Sequence, residues 1–157
     1  MKHFLFWLTS TLGYWSIAFL FIPLTMIKKL LPITLIGGFI YTWVVQILAV
    51  HVLKIWSFPN DFLMLWNIPL FFILSWSGVT LIFSYMVLRF TKYQSLIVLG
   101  FGLYAAFMNL LAERHSMIKH DNWSFFQTFM FGIFSHVLIL YILKFIYKKK
   151  DLGAMQP

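Results

Sequence analysis

Cysteine is absent, which removes disulfides, thiol catalysis and thiolate-bound metals. Its absence leaves the compartment open, because a disulfide-free protein can face either side of a membrane. Charge is nearly as scarce. Only 10% of the 157 residues are charged and only four are acidic, where a soluble domain carries roughly 25% charged residues. Hydrophobic residues make up 62% of the chain, with 19 Phe and seven Trp. A water-soluble fold would have to expose much of that apolar surface, and large exposed patches aggregate. Lipid removes the conflict. The length is that of one compact unit.

Long uncharged runs are present in quantity. Phe4–Ile27, Leu30–Leu53, Phe62–Leu88, Tyr93–Ala112 and Asn122–Leu143 each lack Asp, Glu, Lys and Arg over at least twenty residues. About 20 apolar residues in a helix cross about 30 Å of hydrocarbon. Backbone groups cannot stay unpaired in lipid, so these runs predict helices, and they are too long and unbroken for the strands of a barrel. The expected fold is an all-α, polytopic transmembrane helix bundle of five helices in a single domain over 1–157. Its approximate spans are 4–27, 30–53, 65–88, 93–112 and 124–146. The first run is read as a retained helix rather than a signal peptide, because no small-x-small cleavage site follows it.

Boundaries follow from local chemistry. Lys28-Lys29 is expected to close the first helix, with Pro32 in the first turn of the second. Ser57-Phe58-Pro59-Asn60-Asp61 reads as a turn, and Trp66-Asn67-Ile68-Pro69 as an interfacial start to the third helix. Arg89 and Lys92 mark a tight turn to the fourth. With five spans, Lys2, Lys54, Arg114 and Lys119 share one side, four basic residues in all. Lys28, Lys29, Arg89, Lys92, Lys144 and Lys148-Lys149-Lys150 share the other, eight in all. The positive-inside rule then predicts the N-terminus outside and the C-terminus in the cytoplasm. Basic residues placed between apolar runs belong to loops flanking membrane spans, so the net charge of +8 does not indicate nucleic-acid binding.

Polar residues inside apolar spans are the candidates for function. Asn109 and Glu113 lie four apart, on one face of the fourth helix, and Arg114 and His115 follow. A carboxylate there suits cation binding, proton transfer or a salt bridge. The plainer reading is a helix end at the headgroup level. His136 lies near the centre of the last span, where an ionisable group is costly and faces the bundle interior. It reads as a proton relay or cofactor contact, or as a neutral ring tying helices together. His51, His115 and His120 fall on the same predicted face as Asp61, Glu113 and Asp121. Their spacing matches no metal signature, so neither a metal nor a cofactor is expected. Gln46, Asn67 and Gln127 add polar contacts without naming a chemistry.

Small residues at Gly37-Gly38, Ser75, Ser77, Gly78, Gly102 and Ala106 permit close helix approach, within the chain or to another subunit. Trp56, Trp66 and Trp123 fit an aromatic belt, whereas Trp43 and Trp76 are deeper, in core packing or along a hydrophobic ligand cavity.

The size, the helix spacing, the Phe58-Pro59-Asn60 turn, the Trp66-Asn67-Ile68-Pro69 segment and Asn109 together resemble the CBO0543 family. These are small multi-span membrane proteins of spore-forming Gram-positive bacteria. The resemblance covers most of the chain and implies a bacterial cytoplasmic membrane and a sporulation context. It implies no activity for any residue. Three functional classes follow from the residues themselves. The first is a non-enzymatic membrane scaffold, accessory or assembly subunit, with the phospholipid bilayer and a homo-oligomer or another membrane protein as its partners. The second is a small transporter or channel subunit using Gln46, Asn109, Glu113 and His136. The third is a membrane-embedded enzyme acting on a lipid or isoprenoid, with Glu113 as acid or base. One continuous cavity containing the polar residues favours the second.

Overall fold

A computed structural model describes residues 2–147. Five helices are long and apolar enough to cross a membrane: α1 (Lys2–Phe21), α2 (Leu24–Val52), α3 (Leu70–Arg89), α4 (Gln94–Arg114) and α5 (Phe125–Ile146). The expected all-helical bundle is the observed one. Lys148-Lys149-Lys150, used in the charge count, lies outside the described residues.

The break between the first two helices differs from expectation. It falls at Pro23, whose extended backbone (φ −55°, ψ 137°) stands before the first turn of α2. Lys28 and Lys29 do not close α1; they lie inside α2, exposed. Proline ends the helix where charge was expected to, because lysine stems run along apolar surface and carry their ammonium groups to water. Pro32 is correspondingly a helix-interior proline rather than a first-turn one. Its ring removes the bond to the Lys28 carbonyl. Just beyond it the ladder widens to π geometry over Thr34–Ile40, and again over Leu48–Val52. The 29 residues of α2 are roughly 40 Å long, more than the about 30 Å of hydrocarbon a membrane span has to cross.

The start of α3 is also displaced. Trp66 and Asn67 have positive φ (54° and 59°) and form the two-residue turn of a hairpin. The strands are β2 (Met64–Leu65) and β3 (Ile68–Pro69), with Leu65 opposite Ile68. Positive φ at both turn positions is the I′ geometry, which asparagine tolerates. Helix α3 begins only after Pro69. A second short pair, β1 (Trp56–Ser57) with β4 (Lys119–His120), ties the α2–α3 loop to the α4–α5 loop.

Helix α3 is the most buried of the five and packs on α1 and α2, while α4 and α5 form a close hairpin. Glycine sets both approaches. A Cβ on Gly38 would stand 2.6 Å from the Ser77 Cα, so α2 meets α3 backbone to backbone there. On the other side, a Cβ on Gly102 would stand 2.7 Å from Ile133 of α5. The close-approach surfaces at these residues are therefore spent on neighbours within the chain. Helix α5 opens with a capping box: Ser124 Oγ accepts from the Gln127 amide, and the Gln127 side chain accepts from the Ser124 amide at 2.7 Å. Tyr147 closes it by donating to the Lys29 carbonyl of α2.

Candidate functional site

The α1–α2–α3 unit and the α4–α5 hairpin do not close on each other along their full length. Between them lies a cavity of about 110 Å³ to which all five helices contribute. One end is covered by the β1–β4 loop pair through Trp56 and Ile118. Trp56 is buried, with its ring edge-on to Trp123 and His120. It is a cap on the cavity and not the headgroup-level anchor expected of it. Trp66 is 66% exposed.

Three of the seven candidate residues meet here: Gln46, Asn109 and His136. Gln46, buried on α2, accepts the Trp56 indole hydrogen on Oε1 at 2.8 Å. Asn109 Nδ2 donates to Thr128 Oγ1 at 3.3 Å, and Trp123 Nε1 donates to the same oxygen at 2.9 Å. Asn109 Oδ1 and the Gln46 amide hydrogens make no hydrogen bond among the described residues. His136 is buried between the rings of Phe83 and Phe101. Its Nδ1 is 2.7 Å from the Gly132 carbonyl. A carbonyl only accepts, so Nδ1 carries the proton and Nε2 of the neutral ring is an acceptor.

The remaining candidates lie elsewhere. Glu113 does not line the cavity. It is exposed beside a space of about 20 Å³ that shares Asn109 and Thr128 with it. Its Oε2 is 3.2 Å from His120 Nδ1, and neither His51 nor His115 is its partner. That contact has ion-pair distance without hydrogen-bond alignment, since both His120 ring nitrogens lack a hydrogen-bond partner. His51 Nε2 instead meets the Trp66 carbonyl at 2.8 Å, which pins the Trp66-Asn67 turn to the end of α2. Asn67 is exposed in that turn, and His115 is exposed against Phe6. Among the described residues no three His, Asp or Glu are placed to hold a metal, so the polar face does not assemble into one site.

Several cavity residues have no counterpart among the sequence candidates. Tyr41 on α2 donates to Ser135 Oγ on α5 at 3.0 Å. Tyr104 on α4 donates to Tyr14 on α1. Ser75, which lines the cavity from α3, is 2.9 Å from Thr11 of α1, which stands behind it. A hydroxyl inside an uncharged run was the available signal, and it is common enough in helices to pass as local back-bonding.

The cavity therefore has an unusual wall. Many side chains around it are polar: the Tyr41–Ser135 and Tyr104–Tyr14 hydroxyls bind each other, whereas Asn109 Oδ1, the Gln46 amide hydrogens and the Thr42 and Thr80 hydroxyls make no hydrogen bond among the described residues. Among the described residues no Asp, Glu, Lys or Arg lines it. Of the two deeper tryptophans, for which core packing and a cavity wall were both open, Trp76 lines the cavity and Trp43 packs against Trp66.

No family model matches the chain, and neither a curated protein nor a solved structure matches it. The resemblance to the CBO0543 family accordingly rests on the residues quoted for it.

Proposed function

We propose that this protein is a non-enzymatic membrane component of transport type, which takes a small uncharged molecule into the cavity between its helices. The observation that carries this reading is the meeting of Gln46, Asn109 and His136, from three different helices, on one internal space. The scaffold reading is weakened because Gly38 and Gly102 make their close approaches inside the chain. The enzyme reading loses its acid, because Glu113 stands outside the cavity.

The test is retention of a ligand. The full chain is released from nanodiscs made of membrane extract and weighed by native mass spectrometry. A noncovalent adduct is expected on the wild type and not on Val79→Phe, which places a ring in the cavity. Identical spectra for both would leave the scaffold reading in its place.

The setting follows from charge and resemblance. Eight of the twelve Lys and Arg belong to the C-terminal side, so that side faces the cytoplasm and the β1–β4 cap faces outward. The membrane is the bacterial cytoplasmic membrane, with a sporulation context and a homo-oligomer or a second membrane protein as partner. A reporter fused after Pro157 is expected to be active only in a format that requires the cytoplasm. Activity solely in the opposite format overturns the orientation.

A further inference from the structure

Some polar atoms of this molecule are buried, without a partner and sealed, such as Trp43 Nε1 and Ser84 Oγ. Polar atoms of the cavity wall are a different case. Gln46, Thr80 and His136 are 7%, 3% and 3% exposed. The Gln46 amide hydrogens, the Thr80 hydroxyl and His136 Nε2 make no hydrogen bond among the described residues, yet none of these atoms is sealed. The surface they keep belongs to the cavity that their residues line. Asn109 Oδ1 and the Thr42 hydroxyl, on the same wall, are also without a partner among the described residues.

These groups decide what the space prefers. Hydrocarbon would leave each of them dry and unpaired, at the cost of its desolvation. An ion would enter without a counter-charge, because no Asp, Glu, Lys or Arg among the described residues lines the wall. Water alone is a poor filling too. Each buried water needs about two to four polar partners, and Val79, Ala105, Met108 and Phe131 put carbon between the polar groups. The occupant that meets all three conditions has polar ends, a carbon middle and no charge.

Size is as restrictive. A cavity of about 150 Å³ takes benzene, and one water has a share of about 30 Å³. The volume of about 110 Å³ is therefore room for about four or five heavy atoms. Gln46 and Thr42 stand one turn apart on the α-helical stretch Tyr41–Ile47, about 6 Å along the axis, which a molecule of that size spans. At the capped end the Gln46 hydrogens call for an acceptor and Asn109 Oδ1 for a donor. One end of the occupant must supply both.

We infer that the cavity binds a compact, uncharged solute of about four or five heavy atoms, of the short amide and diol class. Its oxygen accepts from Gln46, its N–H or O–H donates to Asn109 Oδ1, and its far end meets Thr42. This rests on the cavity being a binding site, and it adds the size and chemistry of what is bound.

The chain has no cysteine, so a single introduced thiol reports on its own position. Thr80→Cys and Thr42→Cys place it on the cavity wall, and Thr91→Cys at an exposed site. The full-length variants in nanodiscs are treated with iodoacetamide, itself a short neutral amide, or with the charged iodoacetate, and labelling is followed by mass. At the wall the rate is expected to level off with iodoacetamide concentration, and acetamide should slow it while octanamide, too long for the space, does not. Iodoacetate should be slower there by about tenfold, relative to Thr91→Cys. Asn109→Leu is the second arm, in the Thr80→Cys background. It removes the free acceptor while Trp123 still donates to Thr128, and should raise the acetamide concentration needed for protection about tenfold, without changing the plateau rate. Labelling that rises linearly and ignores acetamide means water only and overturns the inference. So do no labelling at either wall position, protection by octanamide equal to that by acetamide, or unchanged protection in Asn109→Leu. If any of these is found while the wild type still carries a native-mass adduct, the cavity binds another class of molecule and only this assignment fails.

Discussion

Replacing Gly38 with alanine adds one methyl group to the molecule at the place with least room for it. The new Cβ would stand 2.6 Å from the Ser77 Cα, and 3.2 Å from the Thr80 Cβ. Carbon atoms rest at about 3.5–4.0 Å, so α2 and α3 must separate locally by about 1 Å. The obstacle is backbone and no rotamer change relieves it. Overpacking of this kind costs about 1–3 kcal/mol, and alanine's helix propensity offsets up to about 1 kcal/mol of it. A net loss of about 1–2 kcal/mol is a five- to thirtyfold fall in the ratio of folded to unfolded protein. Gly13 and Gly100 are the internal controls. Neither would have any heavy atom within 4 Å of an added Cβ, so alanine there should be neutral or stabilising by up to about 1 kcal/mol. Reversible unfolding of the purified chain in mixed micelles, titrated with a denaturing detergent and followed by tryptophan fluorescence, measures all three. Gly38→Ala within about 0.5 kcal/mol of wild type, or Gly13→Ala and Gly100→Ala as damaging as it, would refute the argument from close approach.

Three further outcomes are expected in the same unfolding assay. Trp56→Phe leaves the buried Gln46 Oε1 without its donor and should cost about 1–3 kcal/mol, part of which Gln46→Leu restores in the double variant; additive losses would mean the pair is not coupled. Ser84 is fully buried with no partner for its hydroxyl, so Ser84→Ala should be neutral or stabilising by about 1 kcal/mol, and a clear loss would reveal an unseen partner. Ser124→Ala removes the acceptor of the α5 capping box and should cost about 1 kcal/mol, with Gln127→Ala close to it; no effect from either would show that the helix starts without the box.

The helix count was legible because the bilayer demands long uncharged runs, and those are visible without any structure. Boundaries were less so. Lys28-Lys29 resembles an end only if lysine must sit in a loop, whereas a lysine stem lets the helix continue beneath it. Pro23 and Pro32 are the same residue type nine positions apart in sequence, yet one stops a helix and the other is absorbed by a change to π geometry. Composition does not tell them apart, since the outcome depends on what α2 packs against. The hairpin at Trp66-Asn67 left a weak signal, and the two-residue β1–β4 pair left none, being too short to show alternation. Of the candidate site, Gln46, Asn109 and His136 stood out individually because polar groups in an apolar span need partners. Their convergence is a property of helix rotation, and the nearly uniform hydrophobicity of these spans gives no face to orient by. Glu113 was the most conspicuous residue in the sequence, and it lies outside the cavity. The tyrosines, which join helices far apart in sequence, passed unnoticed among 21% aromatic residues.

The cross-links between the two halves also bear on how the protein is made. Tyr14 and Tyr41 leave the ribosome with α1 and α2, well before α4 and α5. Their partners, Tyr104 and Ser135, belong to those last helices, and β4 follows α4. During synthesis the first three spans stand in the bilayer with hydroxyl groups awaiting later chain, a state an insertase or holding partner would be suited to shield. Arrival of the α4–α5 hairpin satisfies the two tyrosines in one docking event, and the loop pairing then fastens it. A chain interrupted after α3 would keep its close-packed Gly38 contact and still display an open seam, which is the kind of surface that membrane quality control recognises.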